Sequence, residues 1–180
     1  MLLGIEQHRT GAVMDGEARV VGALLDAPFG PVWVVASPSG LVRIDLRPDE
    51  HVAREFLDTA DERAHRVLAQ ALEELTAYFT AERKQFSVPV DWDGAGVTPF
   101  QRQVLVETSY IPWGQVVTYG ALARAVGRPK GARAVGRALA HNPIPIVIPC
   151  HRVIAATGAL QGFGGGLDIK AFLLRHEGVL

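Results

Sequence analysis

The chain has one cysteine in 180 residues. With no second thiol, Cys150 has no intrachain disulfide partner, and a multi-cysteine zinc site is excluded. Long hydrophobic runs are missing too. No apolar stretch approaches the roughly 20 residues of a membrane span. The opening Met1-Leu2-Leu3-Gly4-Ile5-Glu6 lacks the basic region and long apolar core of a signal peptide. One cysteine and no export signal together predict a reducing cytoplasm. There is no internal repeat and no long low-complexity segment, which excludes a repeat array. What remains is an ordinary globular composition, 48% hydrophobic, with room for one large domain or two small ones.

The lone thiol has an unusual setting. It closes the run Ile146-Val147-Ile148-Pro149-Cys150-His151-Arg152-Val153. Thiolate is the reactive form of cysteine, and an adjacent imidazole can generate it by taking the proton. Pro145 and Pro149 stiffen the approach, and Pro149 fixes the backbone just before the thiol. The alternative is a buried cysteine acting as a small hydrophobe.

Charge divides the chain. From Ala95 onward there are nine Lys/Arg against three acids, a net +6; the first 94 residues are net −7. A basic half joined to an acidic half predicts that only the second meets a polyanion. Arg124, Arg128, Lys130, Arg133 and Arg137 follow one another with no acid between them.

Residues 1–94 read as a small α/β scaffold, with 1–20 as a patternless extension. Val32–Val35 and Leu41–Leu46 read as strands joined through the turn formers Ser37-Pro38-Ser39-Gly40. Asp61 to Thr80 reads as a helix with the apolar stripe Ala64, Leu68, Leu72, Leu75, Phe79. No chemical constellation is visible in this half. Asp91–Gly96 is the expected boundary, and residues 95–180 form the second domain. There Thr98 caps a helix with Pro99 at its first position. A second helix starts after Thr118 and stops at Gly127. Pro129 is expected to open a third, running to about Ala140. Two short helices joined by a glycine turn read as a helix-turn-helix, against the common alternative of a plain helical bundle. On the third helix Ala132, Val135 and Leu139 form an inward stripe, and Lys130, Arg133, Arg137 and His141 line another face. Gly131 and Gly136, taken as helix-interior glycines at a cost of roughly 1 kcal/mol each, point to close backbone approach by a partner. A helix of Gly and Ala with a few arginines suits a minor groove only about 6 Å wide.

Taken in order, these segments resemble a family. Thr98 to Gly178 is similar to the O6-alkylguanine-DNA alkyltransferases. The matching segments are Phe100-Gln101, Ile111-Pro112-Trp113-Gly114, Thr118-Tyr119, Ala132-Arg133-Ala134-Val135-Gly136, Asn142-Pro143, Ile148 through Ile154, Gly165-Gly166-Leu167 and His176-Glu177-Gly178.

The resemblance implies an RNase-H-like α/β N-terminal domain and a mainly α, winged helix-turn-helix C-terminal domain. It implies direct-reversal DNA repair on double-stranded DNA, approached from the minor groove by a monomer. An O6-alkylated guanine, and by extension an O4-alkylated thymine, is flipped out of the duplex. Cys150 takes the alkyl group irreversibly, once per molecule, with no metal and no cofactor. His151 would deprotonate Cys150 through a water, Glu177 would orient His151, and Tyr119 would serve the leaving guanine as a general acid. Arg133 would fill the vacated stack, with Ala134, Gly136 and Arg137 beside it on the DNA. Asn142 would tie the recognition helix to the cysteine segment through backbone hydrogen bonds, and Val153, Phe163 and Gly164 would contact the base. Phe163 stands where the family usually has tyrosine, so a hydroxyl is missing there.

Two other classes compete. A non-catalytic lesion-binding protein on the same fold would have replaced the cysteine. A thiol hydrolase using Cys150, His151 and Glu177 would need an oxyanion hole and would leave the basic helix without a role.

Overall fold

The computed structural model describes residues 20–48 and 61–180. The expectation of an extension over residues 1–20 therefore falls almost wholly outside the described residues. Three antiparallel strands open the fold: β1 (Val21–Ala27), β2 (Gly30–Ser37) and β3 (Gly40–Asp45), in that order across the sheet. The hairpin β2–β3 turns at Ser37–Gly40 as the turn formers require. β1 escaped the sequence reading. Its Gly22, Ala23 and Ala27 have weak strand preference, and only pairing with the continuously apolar β2 selects the extended form. Gly40 answers a packing demand: a Cβ there would stand 2.6 Å from the Asp91 amide. That close approach lets Leu41 exchange backbone hydrogen bonds with Pro89 and Asp91, at 2.8 and 2.9 Å, so the linker lies along the free edge of β3.

Helix α1 (Glu62–Phe79) lies across this sheet. Asp61 caps it, accepting from the Arg63 and Ala64 amides. Its buried face is rotated from the predicted stripe. Ala64, Leu68 and Leu75 are buried as expected; Leu72 and Phe79 are only partly so, and Ala71, Glu74 and Tyr78 take their place. Glu74 is tolerated because Gln70, Ser87 and the Val88 amide all donate to it. Burial alone would raise its carboxyl, but those donors hold it below the usual carboxylate range.

The second half is mainly helical. α2 (Pro99–Ser109) is capped by Thr98, and α3 (Tyr119–Ala125) by Thr118. α4 (Ala132–Ala140) starts three residues later than predicted. The Gly131 amide bonds the Arg128 carbonyl at 2.7 Å, closing residues 128–131 into a turn. Arg128, lying before a proline, is disfavoured in the helical region, which places the break there. Two corrections follow. Lys130 lies off the helix, and Gly131 is its N-cap, where glycine costs little. Gly136 alone is interior, and an added Cβ would stand an ordinary 3.8 Å from the Tyr119 ring. Packing within the protein therefore does not demand glycine at 136.

Two-residue strands β4 (Val117–Thr118) and β5 (Val153–Ile154) pair in parallel, and α5 (Leu167–His176) closes the chain. One core of buried side chains runs through both halves. The Ile44 amide of β3 donates 2.8 Å to the Pro143 carbonyl, and Gly165 packs so tightly on Leu46 that a Cβ would come within 2.7 Å. Among the described residues no helix is long and apolar enough to cross a membrane.

Candidate active site

Cys150 opens a single 3-10 turn, Cys150–Arg152, between a buried loop and β5. The loop anchors Ile144, Ile146 and Ile148 in the core. Ile146 has φ +74°, a left-handed conformation that a β-branched residue adopts only when its surroundings impose it. Asn142, just after α4, reaches across this loop. Its Nδ2 donates to the Ile148 carbonyl at 3.0 Å and to Cys150 Sγ at 3.1 Å; its Oδ1 accepts from the Ile144 amide at 3.0 Å. The expected backbone hydrogen bonds between Asn142 and the cysteine segment are present, and a direct side-chain bond to the sulfur is added to them.

His151 is fully buried, and its Nε2 lies 2.8 Å from Glu177 Oε1. Its Nδ1 has no hydrogen-bond partner among the described residues. With Nε2 tied to a carboxylate, the proton of a neutral ring sits on Nε2 and Nδ1 is left to accept. Glu177 is held by more than His151. Arg152 Nε and Nη2 both donate to it at 2.8 Å, Tyr78 Oη donates at 2.8 Å, and the Gly114 amide reaches it at 3.5 Å. Arg152 Nη1 also donates to the Ile111 carbonyl at 2.5 Å.

These contacts set the resting proton states. Burial alone would raise the Glu177 carboxyl; His151 and Arg152 outweigh it and hold the group down at about 2. Burial pushes the His151 imidazole below its ordinary value, against the pull of Glu177. Burial pushes the Cys150 thiol up, opposed by the Asn142 bond and by the Lys170 charge. The resting site is a neutral thiol beside a neutral imidazole backed by a carboxylate. The buried sulfur lacks solvation, so the thiolate has to be generated by loss of the thiol proton during the reaction.

Tyr119, placed beside β5 by the β4–β5 pairing, donates to the Gln161 carbonyl at 3.0 Å. Its phenol is raised, first by half-burial and then by proximity to Cys150. Lys170 is fully buried, and its Nζ donates to the carbonyls of Val153 at 2.7 Å and Gln161 at 2.9 Å. Burial lowers the Lys170 amine, and Cys150 pulls the other way.

Cys150 lines a cavity of about 540 Å³ with Asn142, Phe163 and Gly164, walled on the far side by Ile44 and Leu46 of the N-terminal half. Four predicted residues stand apart from the thiol. Arg133 and Arg137 are exposed on the outer face of α4, with Ala134 and Gly136 between them. A smaller hollow of about 230 Å³ separates that face from the start of α2.

Arg152, Lys170 and Tyr78 did not figure among the predicted site residues. Arg152 stands in the quoted Cys-His-Arg run. Lys170 had a signal: it lies three and four residues before Leu173 and Leu174, on a stripe that is otherwise apolar. Tyr78 had none beyond its place on the buried side of α1.

A single thiol, bonded to an amide and set beside an imidazole–carboxylate pair at the foot of a helix-turn-helix, defines a class of thiol protein with a helix-presenting outer face. Comparison with known proteins narrows the class. Residues 99–179 match the 6-O-methylguanine DNA methyltransferase, DNA binding domain, and residues 20–92 match the ribonuclease-like domain of the same family. A methylated-DNA--protein-cysteine methyltransferase of Methanosarcina acetivorans is 38% identical over 164 residues, covering 87% of this chain and 97% of its own. That of Mycobacterium tuberculosis is 39% identical over 153 residues, covering 85% and 89%. The crystal structure of M. tuberculosis OGT in complex with DNA superposes with a TM-score of 0.73 at 36% identity, covering 86% of this chain and 90% of that one. The chain belongs to the 6-O-methylguanine DNA methyltransferase family.

Proposed function

We propose that this protein repairs alkylated DNA by direct reversal, moving the alkyl group of O6-alkylguanine irreversibly onto Cys150. The observation that carries the reading is the Cys150 thiol lining a cavity, with His151 beside it in sequence and held by Glu177 at 2.8 Å.

In this reading the protein binds double-stranded DNA as a monomer, in the cytoplasm, with α4 in the minor groove. Gly136, not required by internal packing, and Ala134 let the backbone close on the DNA. Arg133 enters the stack and Arg137 meets the backbone. The lesion rotates into the cavity, at a cost of a few kcal/mol in unstacking, and rests against Phe163. The Val153 and Gly164 backbones read its edge. The sulfur attacks the alkyl carbon in line. A carbon–sulfur bond forms, the carbon–oxygen bond breaks, and the electron pair leaves with the guanine. The thiol proton passes through a water to His151 Nδ1, and Glu177 balances the imidazolium that results. The Tyr119 hydroxyl exchanges the Gln161 carbonyl for the departing base and donates to it. Residues 1–94 form the scaffold domain and 95–180 the reacting domain, a division supported by family matches that stop at 92 and resume at 99.

Mass spectrometry after incubation with an O6-methylguanine oligonucleotide tests the reading. One methyl group should appear on Cys150, with product reaching one equivalent per protein and stopping. A thioether is neither a nucleophile nor a good leaving group, so sustained turnover would point instead to a hydrolase.

A further inference from the structure

Tyr78 is wholly buried, yet it comes from the half of the chain that shows no chemistry of its own in the sequence. Its hydroxyl crosses 99 residues of sequence to donate 2.8 Å to Glu177 Oε1. That oxygen also faces His151 Nε2 and Arg152 Nη2, each at 2.8 Å. The tyrosine ring is boxed by Trp113, Phe79, Phe86 and His176, with centroids 5.2 to 5.6 Å away. His176 Nε2 meets the Tyr78 backbone carbonyl at 2.7 Å. The hydroxyl is therefore fixed in space before any substrate arrives. A phenylalanine would fill the same aromatic box. The hydroxyl adds a desolvation cost that, among the described residues, its bond to Glu177 offsets.

We infer that Tyr78 is a positioning residue for alkyl transfer: its hydroxyl fixes the Glu177 carboxylate and so governs how readily His151 takes the thiol proton. The inference rests on the transferase reading and deepens it. Each donor on Oε1 draws negative charge away from the edge that faces His151. Tyr78 thereby weakens the hold of Glu177 on an imidazolium and keeps His151 neutral and ready to accept. The other charged or titratable groups around the pair are Arg152, which grips both carboxylate oxygens, Lys170, which acts on His151 from α5, the adjacent Cys150 thiol, and His176, packed on the Tyr78 ring. Arg152 and Lys170 also disfavour the imidazolium. Among the described residues Tyr78 is the one contribution from the N-terminal half, and the ribonuclease-like domain is in this sense part of the proton relay.

The experiment is single-turnover transfer from an O6-methylguanine oligonucleotide, from about pH 5 to 9, for wild type, Tyr78→Phe, Glu177→Gln and the double variant. Tyr78→Phe should keep a full burst on Cys150 but move the acid limb of the pH–rate profile upward, with a loss of roughly three- to tenfold on that limb, a part of the worth of one hydrogen bond to a charged group. In the Glu177→Gln background the same change should do nothing further. An unmoved limb, or an equal loss in both backgrounds, overturns the inference, since a merely structural hydroxyl acts on folding and not on the profile. If Tyr78→Phe gives a reduced burst through misfolding, Tyr78→3-fluorotyrosine decides. It keeps the hydroxyl and makes it a better donor, so the limb should move down, and a limb that stays put overturns the inference. Absence of any burst from wild type would instead be failure of the transferase reading itself.

Discussion

The groups around Cys150 and the outer face of α4 are both rich in charge, and they use it in opposite ways. Around the thiol, Glu177, Arg152, His151 and Lys170 are buried and each is held by partners closer than 3 Å. On α4, Arg133 and Arg137 are exposed. Buried charge in fixed geometry decides where protons sit before a reaction begins. Exposed charge on long side chains attracts a polyanion and adapts to it. Chemistry and recognition are thus physically separated, joined through Asn142, whose side chain runs from the end of α4 to the sulfur.

The contrast breaks most completely at the sulfur. Cys150→Ala should abolish the burst while leaving DNA affinity intact, because α4 is untouched. A band-shift assay on undamaged duplex, run beside the transfer assay, checks both halves of that statement. Loss of DNA binding as well would mean that the two regions are not separable.

Next in size is Glu177→Gln. It leaves Arg152 buried without its counter-charge and should cost about 3 kcal/mol of stability, with a fall in transfer rate of about 100-fold or more. The pH dependence has a definite sign. Glu177 is depressed from 4.5 to about 2, so its stabilisation is present above 4.5 and is lost as pH falls toward 2. His151 lies below its ordinary 6.5 and is neutral in the fold, so the unfolded chain takes up a proton that the native one refuses, and stability falls below pH 6.5 as well. Urea midpoints should therefore decline steadily on acidification from pH 7. In Glu177→Gln the decline between 4.5 and 2 should flatten; an unchanged slope would remove Glu177 as its source.

Arg133→Ala sharpens the contrast from the other side. It should slow repair of duplex DNA by roughly tenfold or more, since the flipped state costs a few kcal/mol, and leave dealkylation of free O6-benzylguanine unchanged. Equal losses on both substrates would remove Arg133 from the stack. The smallest effect is that of salt on the free base, which should be negligible. Affinity for undamaged duplex should fall steeply with salt, through counterion release from several phosphates. A salt-independent affinity would place the DNA elsewhere than on the +6 half.

Legibility in the sequence followed the range of the interactions. Asp61, Thr98 and Thr118 cap their helices as their side chains dictate, because a cap is settled within three residues. The Cys-His run was visible for the same reason. Glu177 was reached only through resemblance, and Tyr78 not at all: the bond joining them spans 99 residues and leaves no local pattern. The buried side of α1 departs from the expected stripe at Leu72 and Phe79, which look more apolar than the Ala71, Glu74 and Tyr78 buried instead. The Ser87 and Val88 segment, remote in sequence, decides the matter by binding Glu74. α4 was begun early because proline favours a first helical turn, but here the turn at 128–131 takes it instead.

The backbone bond from Ile44 to Pro143 has a consequence for observing the molecule at work. Its amide proton belongs to the sheet, its acceptor to the segment leading into the cysteine loop, and both residues line the cavity. That proton can exchange with solvent only when strand and loop part. Its exchange rate in heavy water, followed by NMR without any substrate or probe, is a direct count of how often the two halves of the protein let go of each other.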